Sequence, residues 1–462
     1  MSSMNGQFAE AQAKQPASGT SDSSVRVVIE TASIIIGMLI NLLLIPRHLS
    51  SDAVHRFQAL NQLLSAHTLS TVPYSLVGPL FATPLWLLGK LYKTPQWWIQ
   101  YYNWLLLALG LVVFYVLLRN RIDRSILRTF LLLIVFASLC AQQVTDFDGE
   151  IFTALLVMIG ALLAAQRRGK IGWPLAILGV VNTPATLLGL GLMSLKQIAS
   201  SRRLRYVLVP LGAVAIIGAE NWLRRGAPLA TGYEGNVGFR TVMPYSGLPG
   251  FSYPIFFGLL SILFSFGKGL IFYMPGLFLP VRKRLLALGD QGQMLYAAYQ
   301  LWLAFLIGLV LVYSHWWAWY GGWYWGPRFF LAGSLIACFA LALAIKRPSA
   351  SLIVNLITLV VLVLSFWVGI NGVVFDQNTL ASTCQANNYA LETLCHYTPE
   401  FSALWRPFVV YEPLSTRSLV YIGCSVLVFA YVAFPLLRVI ARQLAEGARH
   451  LWAIYGRQAW GI

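Results

Sequence analysis

Acidic residues are scarce in this chain, 16 Asp and Glu against 33 Lys and Arg in 462 residues, and charged residues of both signs make up only 11%. With 58% of residues hydrophobic and a mean hydropathy of +0.68, polar surface is too limited to cover a soluble domain of this length. Lipid must be the solvent for most of it, which excludes cytosolic, nuclear and secreted classes. Cysteine is sparse too. Five Cys are too few and too scattered for a disulfide scaffold, and no C-x-x-C pair or His cluster offers a zinc site. Cys140, Cys338 and Cys424 sit in apolar runs and read as packing residues, whereas Cys384 and Cys395 share one loop and can be joined if it lies outside the cytoplasm. No internal repeat is evident, which counts against a transporter built from inverted halves. No cleavable leader precedes the first apolar run, so that run is expected to be a retained helix.

What is present is a series of apolar runs at about 26–46, 99–118, 129–144, 150–165, 205–222, 270–281, 294–313, 329–345, 350–370 and 418–437. They predict an all-α polytopic membrane protein of about ten crossings. With the N-terminus inside, 22 of the 33 basic residues fall on the cytoplasmic side and 11 outside. The net charge of +17 therefore reports loop topology, and no nucleic-acid partner is expected. Residues 1–25 read as a disordered cytoplasmic tail, 26–437 as one transmembrane domain and 438–462 as a basic cytoplasmic tail. Both termini lie inside on this reading. Residues 171–195 carry basic residues on both flanks and an Asn-Thr-Pro break at 182–184, so they predict two short helices that enter and return. Residues 252–269 read as a shallow segment on the other face. Four outer stretches remain, 47–98, 223–269, 314–328 and 371–417.

The polar residues of those stretches are the candidate site. "DAVHRFQALNQLL" has apolar residues at helical spacing with polar ones between, a helix lying on the membrane surface. Asp52 at its start has two readings, a cap for free backbone N–H groups or a base facing a water-accessible cavity. Arg56, one turn later, shares its face and can pair with it. In "TDFDGE", Asp146, Asp148 and Glu150 crowd a short outer turn. They are either a solvated turn or a catalytic group, and Asp-x-Asp spacing can hold a divalent metal. Lys268 lies between Gly267 and Gly269, which would let backbone N–H groups approach an anion. Arg328 stands at an outer helix start, where the dipole does not favour a cation, so it needs a counter-charge. Five of the 16 Trp fall within 314–330. An interfacial belt accounts for one or two of them. A ring-shaped polar ligand stacked on aromatic faces would use more, with Trp319, Tyr320, Trp323 and Trp325 as its contacts.

"WYGGWYWGPRFF" resembles the W-x-G-G-x-x-x-G-P-R-[YF] stretch of bacterial polytopic glycosyltransferases of the GT-C fold, relatives of the protein mannosyltransferases and the lipid A aminoarabinose transferase. "SFGKGLIFYMPGL" looks like their S-P-G-K-G segment, with Phe266 where Pro is commoner. "DAVHRFQALNQLL" followed by "PYSLVGPLFATPLWLLG" looks like their first outer loop, with Ala53 where a second acid is frequent. The resemblance runs from Asp52 to about Phe330. It implies a GT-C-like fold and an inverting transfer of a sugar from a polyprenyl-phosphate carrier to a lipid, glycan or protein hydroxyl, on the outer face of the inner membrane. Asp52 would be the base, assisted by Asp146 or Asp148. Lys268 and Arg328, with Arg56 beside them, would bind the donor phosphate. The rival readings are a secondary transporter or flippase of a lipid-linked sugar, and a polysaccharide polymerase or ligase. The last would be expected to carry a large outer loop with several Arg, and 371–417 has only Arg406 and Arg417.

Overall fold

The computed structural model describes residues 24–234, 240–375 and 377–453. Nearly all of the expected N-terminal tail, together with Asp376 and Arg457, lies outside these. The described residues are helical, with no strand among them. The main helices are α1 (Ser24–Leu44), α2 (Ser51–Ala66), α3 (Tyr102–Leu118), α4 (Arg124–Phe136), α5 (Glu150–Ala165), α6 (Gly169–Asn182) and α7 (Leu187–Ser201). They continue with α8 (Leu208–Arg225), α9 (Ile255–Phe264), α10 (Asp290–Ser314), α11 (Leu331–Lys346), α12 (Leu352–Val374) and α13 (Thr416–Leu451).

Seven helical stretches among the described residues are long and apolar enough to cross a membrane: α1, α3, α8, α10, α11, α12 and α13, some with a short preceding turn. The other three expected spans are shorter, and local chemistry accounts for two of them. Residues 129–144 break after Phe136, where the Ser138 hydroxyl donates back to Ile134 O and accepts from Cys140 N, diverting the backbone from the helical ladder. Residues 270–281 form one α-turn, Leu270–Tyr273, and one 3-10 turn, Pro275–Phe278. Pro275 lacks an N–H and restricts Met274 before it, so no helix runs through. At the other end of the chain, α13 runs through 437 as a single helix of 36 residues.

The break expected at 182–184 is present. Pro184 pushes Thr183 out of the helical region, to φ −134° and ψ 82°, between α6 and α7. Both arms of this hairpin pack through small residues. A Cβ on Gly160 of α5 would lie 2.5 Å from the Gly172 carbonyl of α6, and one on Gly308 of α10 would lie 2.4 Å from Gly189 Cα of α7. Such close backbone approach is how helices gain contact where lipid removes the hydrophobic drive between them. At the hairpin tip, Asn182 donates to Gly149 O at 2.9 Å and accepts from Gly78 N at 3.1 Å. The tip is thereby fixed beside the acids that precede α5.

At the centre stands α11, buried from Leu331 to Ile345. Its one end follows Arg328 and its other carries Lys346. At about 1.5 Å per residue these two cations lie roughly 27 Å apart. Each enters a cluster of buried charge.

Candidate active site

The site is assembled around the start of α2. Its N-cap is Ser50, and no side chain caps the helix. Asp52 therefore does not cap the helix, and it lines the cavity of the site. Oδ1 accepts from the Tyr74 hydroxyl at 2.7 Å and Oδ2 from Arg328 Nη2 at 2.8 Å. Burial pushes this carboxyl up, but Arg328, Tyr74 and Arg56 together outweigh it and hold Asp52 below the usual carboxylate value.

The acids of the 146–150 turn do not act alike. Asp146 accepts from the Ser50 hydroxyl at 2.5 Å and from Phe147 N at 2.8 Å, which fixes the turn against the residues before α2. Asp148 reaches toward Arg328 at 3.9 Å, and Glu150, in the first turn of α5, lies 3.4 Å from it. Burial, and next Glu150, push the Asp148 carboxyl well above its usual range despite Arg328. Asp146 and Asp148 thus diverge, and no group of three or more His, Cys, Asp or Glu among the described residues is placed to hold a metal. The metal reading of Asp-x-Asp finds no geometry here, because the two side chains serve different neighbours.

Arg56 is buried, with its guanidinium 5.0 Å from the centre of the Tyr74 ring. It forms no direct pair with Asp52, and its Nε and Nη1 have no hydrogen-bond partner. A buried guanidinium with unmet donors is costly unless an anion completes it.

The aromatic loop is differently built from the sequence expectation. Gly321, Gly322 and Gly326 all have φ between 66° and 75°, which side-chain-bearing residues rarely adopt. The turns aim carbonyls inward. Arg328 Nε donates to Gly321 O at 3.0 Å, and Lys268 Nζ donates to Gly322 O at 3.4 Å, to Gly326 O at 3.0 Å and to Tyr324 O. Lys268 is thus a staple across the loop and does not line the cavity. Burial, and then Arg328, push its ammonium down to about 7. The N–H groups of its flanking glycines are also used internally, Gly267 to His396 O at 2.9 Å and Gly269 to Ser265 O at 2.6 Å. No anion cradle exists there, because the glycines serve close packing: a Cβ on Gly267 would sit 2.5 Å from Cys395 O.

Of the four expected aromatic contacts, Tyr320, Trp323 and Trp325 line the cavity and Trp319 does not. Trp319 is buried in the protein. Trp325 donates to Asn371 Oδ1 at 2.7 Å, and Trp323 stacks on His396 with ring centres 5.6 Å apart. His396 directly follows Cys395, which is joined to Cys384 by a disulfide, the bridge that the shared loop allows.

Together these elements enclose a cavity of about 1730 Å³ whose wall includes Asp52, Arg56, Tyr74, Glu150, Asn182 and Arg328. Sequence reading missed Tyr74, which carried no signal of its own. It also missed Arg224, which donates to Tyr74 O at 2.6 Å and Ser70 O at 2.8 Å and ties the 70–74 loop to α8. Its partner Glu220 lies one turn away at 2.8 Å, and that i,i+4 pair at the end of a span was a usable signal. Comparison of the chain with models of protein families, with curated proteins and with solved structures finds no match in any of the three.

Proposed function

We propose that the chain is a membrane glycosyltransferase of GT-C-like fold that moves a sugar from a polyprenyl-phosphate carrier to an acceptor hydroxyl, with inversion. The observation that carries this reading is the pairing, on one cavity wall, of a carboxylate held ionised with a buried arginine whose donors are unmet. The first suits a base and the second an anion. In the step, the acceptor oxygen bonds to the anomeric carbon as the bond from that carbon to the phosphate oxygen breaks. Asp52 takes the hydroxyl proton, and the electron pair leaves on the lipid phosphate.

Arg56 and Arg328 would meet the charge that develops on that phosphate. Arg328 is already shared with Asp52 at 2.8 Å. A phosphate that draws the guanidinium toward itself leaves Asp52 a stronger base, so donor binding would activate the base it needs. Lys268 contributes through the loop it holds, and Asp146 through the turn. The cavity would open on the outer face of the inner membrane, and the acceptor would be a lipid, glycan or protein. A flippase needs a polar path to both ends of the bundle, and at the far end Glu30 is fully buried and closed by its own partners.

The test is purified protein in lipid, supplied with labelled polyprenyl-phosphate sugars and candidate acceptors, beside Asp52→Asn. Label leaving the lipid with wild type and not with the variant supports the reading. Labelled lipid crossing the bilayer intact, with no transfer, sinks it in favour of the flippase.

A further inference from the structure

Among the charged residues on the cavity wall, most are satisfied within the protein. Arg224 has three carbonyls and Glu220, and Arg225 has Val72 O, Thr71 O at 3.1 Å and Asn221 at 2.7 Å. Glu220 in turn accepts from Ser75 and from Leu76 N. Arg56 is one exception and belongs to the reaction centre proposed above. Glu392 is another, and no role has been given to it.

Glu392 is fully buried, yet it lines the cavity, and among the described residues neither of its carboxylate oxygens has a hydrogen-bond partner. The hydroxyls of Tyr320 and Thr241 bear on it without completing a bond of ordinary geometry. Among the described residues, no Arg or Lys side chain is paired with it. Burial accordingly pushes its carboxyl up. A carboxylate accepts up to about four donors, so beyond these two hydroxyls the acid has room for a ligand's. Around it stand aromatic faces that also line the cavity: Tyr320, Trp323 and Tyr389, the last two with ring centres 6.4 Å apart. All of this is carried on or against the segment closed by Cys384 and Cys395.

We propose that Glu392 is the hydroxyl-reading residue of a saccharide subsite, accepting from a polyhydroxylated ring that lies against Tyr320, Trp323 and Tyr389. The chemistry is that of a donor-rich ring with apolar C–H faces: the faces go to aromatic rings and the hydroxyls to the carboxyl oxygens. Arg56 and Glu392 then divide one ligand between them. Arg56 takes its anion and Glu392 its ring. This rests on the functional reading above and adds to it the residue that distinguishes a glycosylated carrier from a bare one.

The experiment measures binding of two probes to the full chain in nanodiscs, polyprenyl phosphate and the same lipid carrying a hexose. Wild type should bind the glycosylated lipid about tenfold more tightly, the scale of a hydrogen bond to a charged group. Glu392→Gln should remove most of that preference while leaving affinity for the bare lipid unchanged. Arg56→Gln should weaken both lipids alike. Glu392→Asp, which keeps the acid on a shorter stem, should restore part of the preference if the fold is intact. Equal affinity of wild type for both lipids, or equal weakening of both by Glu392→Gln, overturns the subsite and leaves the phosphate reading standing. Binding of neither lipid overturns the functional reading itself, and this one with it.

Discussion

One central helix carries a cation at each end, and the two ends have opposite fates. At the far end, Lys346 lies 3.5 Å from Glu30, whose other oxygen is 2.5 Å from Arg128 Nε. Tyr431 adds a hydroxyl at 3.1 Å, so both oxygens of Glu30 are engaged and the residue is closed from solvent. At the site end, Arg328 serves Asp52, Asp148 and Glu150 at once, and Asp148 Oδ1 and Glu150 Oε2 remain without partners. Both clusters are buried ion networks, and burial alone does not separate structure from function. Saturation of the acids does: Glu30, with both oxygens engaged, ties helices together, whereas acids with an open oxygen beside a cavity have room for a ligand.

Two substitutions break the comparison most sharply. Asp52→Asn should lower transfer by roughly 10²–10⁴-fold, the usual worth of a positioned base, with a smaller loss of melting temperature than Glu30→Gln because Asp148 and Glu150 remain beside Arg328. Glu30→Gln should do the reverse. It leaves Lys346 and Arg128 buried without their acid, at a cost of about 3–5 kcal/mol, while each folded molecule keeps its turnover. Melting in detergent and turnover per folded molecule, measured on the same samples, decide it; a fall in turnover for Glu30→Gln without unfolding would mean that the two ends are coupled.

Lys268 lies between these extremes, and here sequence and structure part. As a lysine bracketed by glycines before an apolar run it reads as an anion ligand, because the sequence cannot show that the bracketing N–H groups are already donated inside the protein. Asp52 and Arg328 were legible from their places at helix starts, and the Asn-Thr-Pro hairpin from a proline between basic flanks. Seven spans were legible from composition. The span at 270–281 was not, since its apolar run hides two prolines that matter more than its hydropathy. Tyr74 and Glu392 were invisible for another reason: their roles arise from contacts across the fold that no local pattern records. Lys268→Met should therefore cost stability and activity together. It orphans the carbonyls of Gly322, Tyr324 and Gly326 at about 1–3 kcal/mol for each one left unmet. Loss of donor binding with unchanged melting would instead return Lys268 to the phosphate.

The disulfide offers a milder change. Opening Cys384–Cys395 by double substitution to Ser frees a segment with 11 residues of separation, worth about 2–3 kcal/mol by loop entropy. Because that segment carries Glu392 and backs Trp323, KM for a glycosylated donor should rise more than kcat falls. An equal fall in both would place the segment's effect at the reaction centre instead.

The smallest effect tests the surplus of acid around Arg328 directly. Asp148 holds its proton to higher pH in the fold than it would in the unfolded chain, because it is buried and faces Glu150. Between the ordinary carboxylate value and this raised one, the folded state binds more protons than the unfolded state. Stability must then fall as pH rises through that window, and the penalty persists above it. Asp148→Asn removes the titrating group and keeps the shape. Its melting temperature should fall less than that of wild type across the same rise in pH, so the two curves converge or cross toward neutral pH. Asp52 has the opposite sign. Its carboxyl is held low, so its contribution is present above the ordinary carboxylate value and is lost as pH falls through its lowered value. Melting curves for wild type, Asp148→Asn and Asp52→Asn over the acid-to-neutral range thus separate the two acids of one cluster. If Asp148→Asn keeps the full wild-type slope, Asp148 does not hold the raised proton and this reading of the cluster falls.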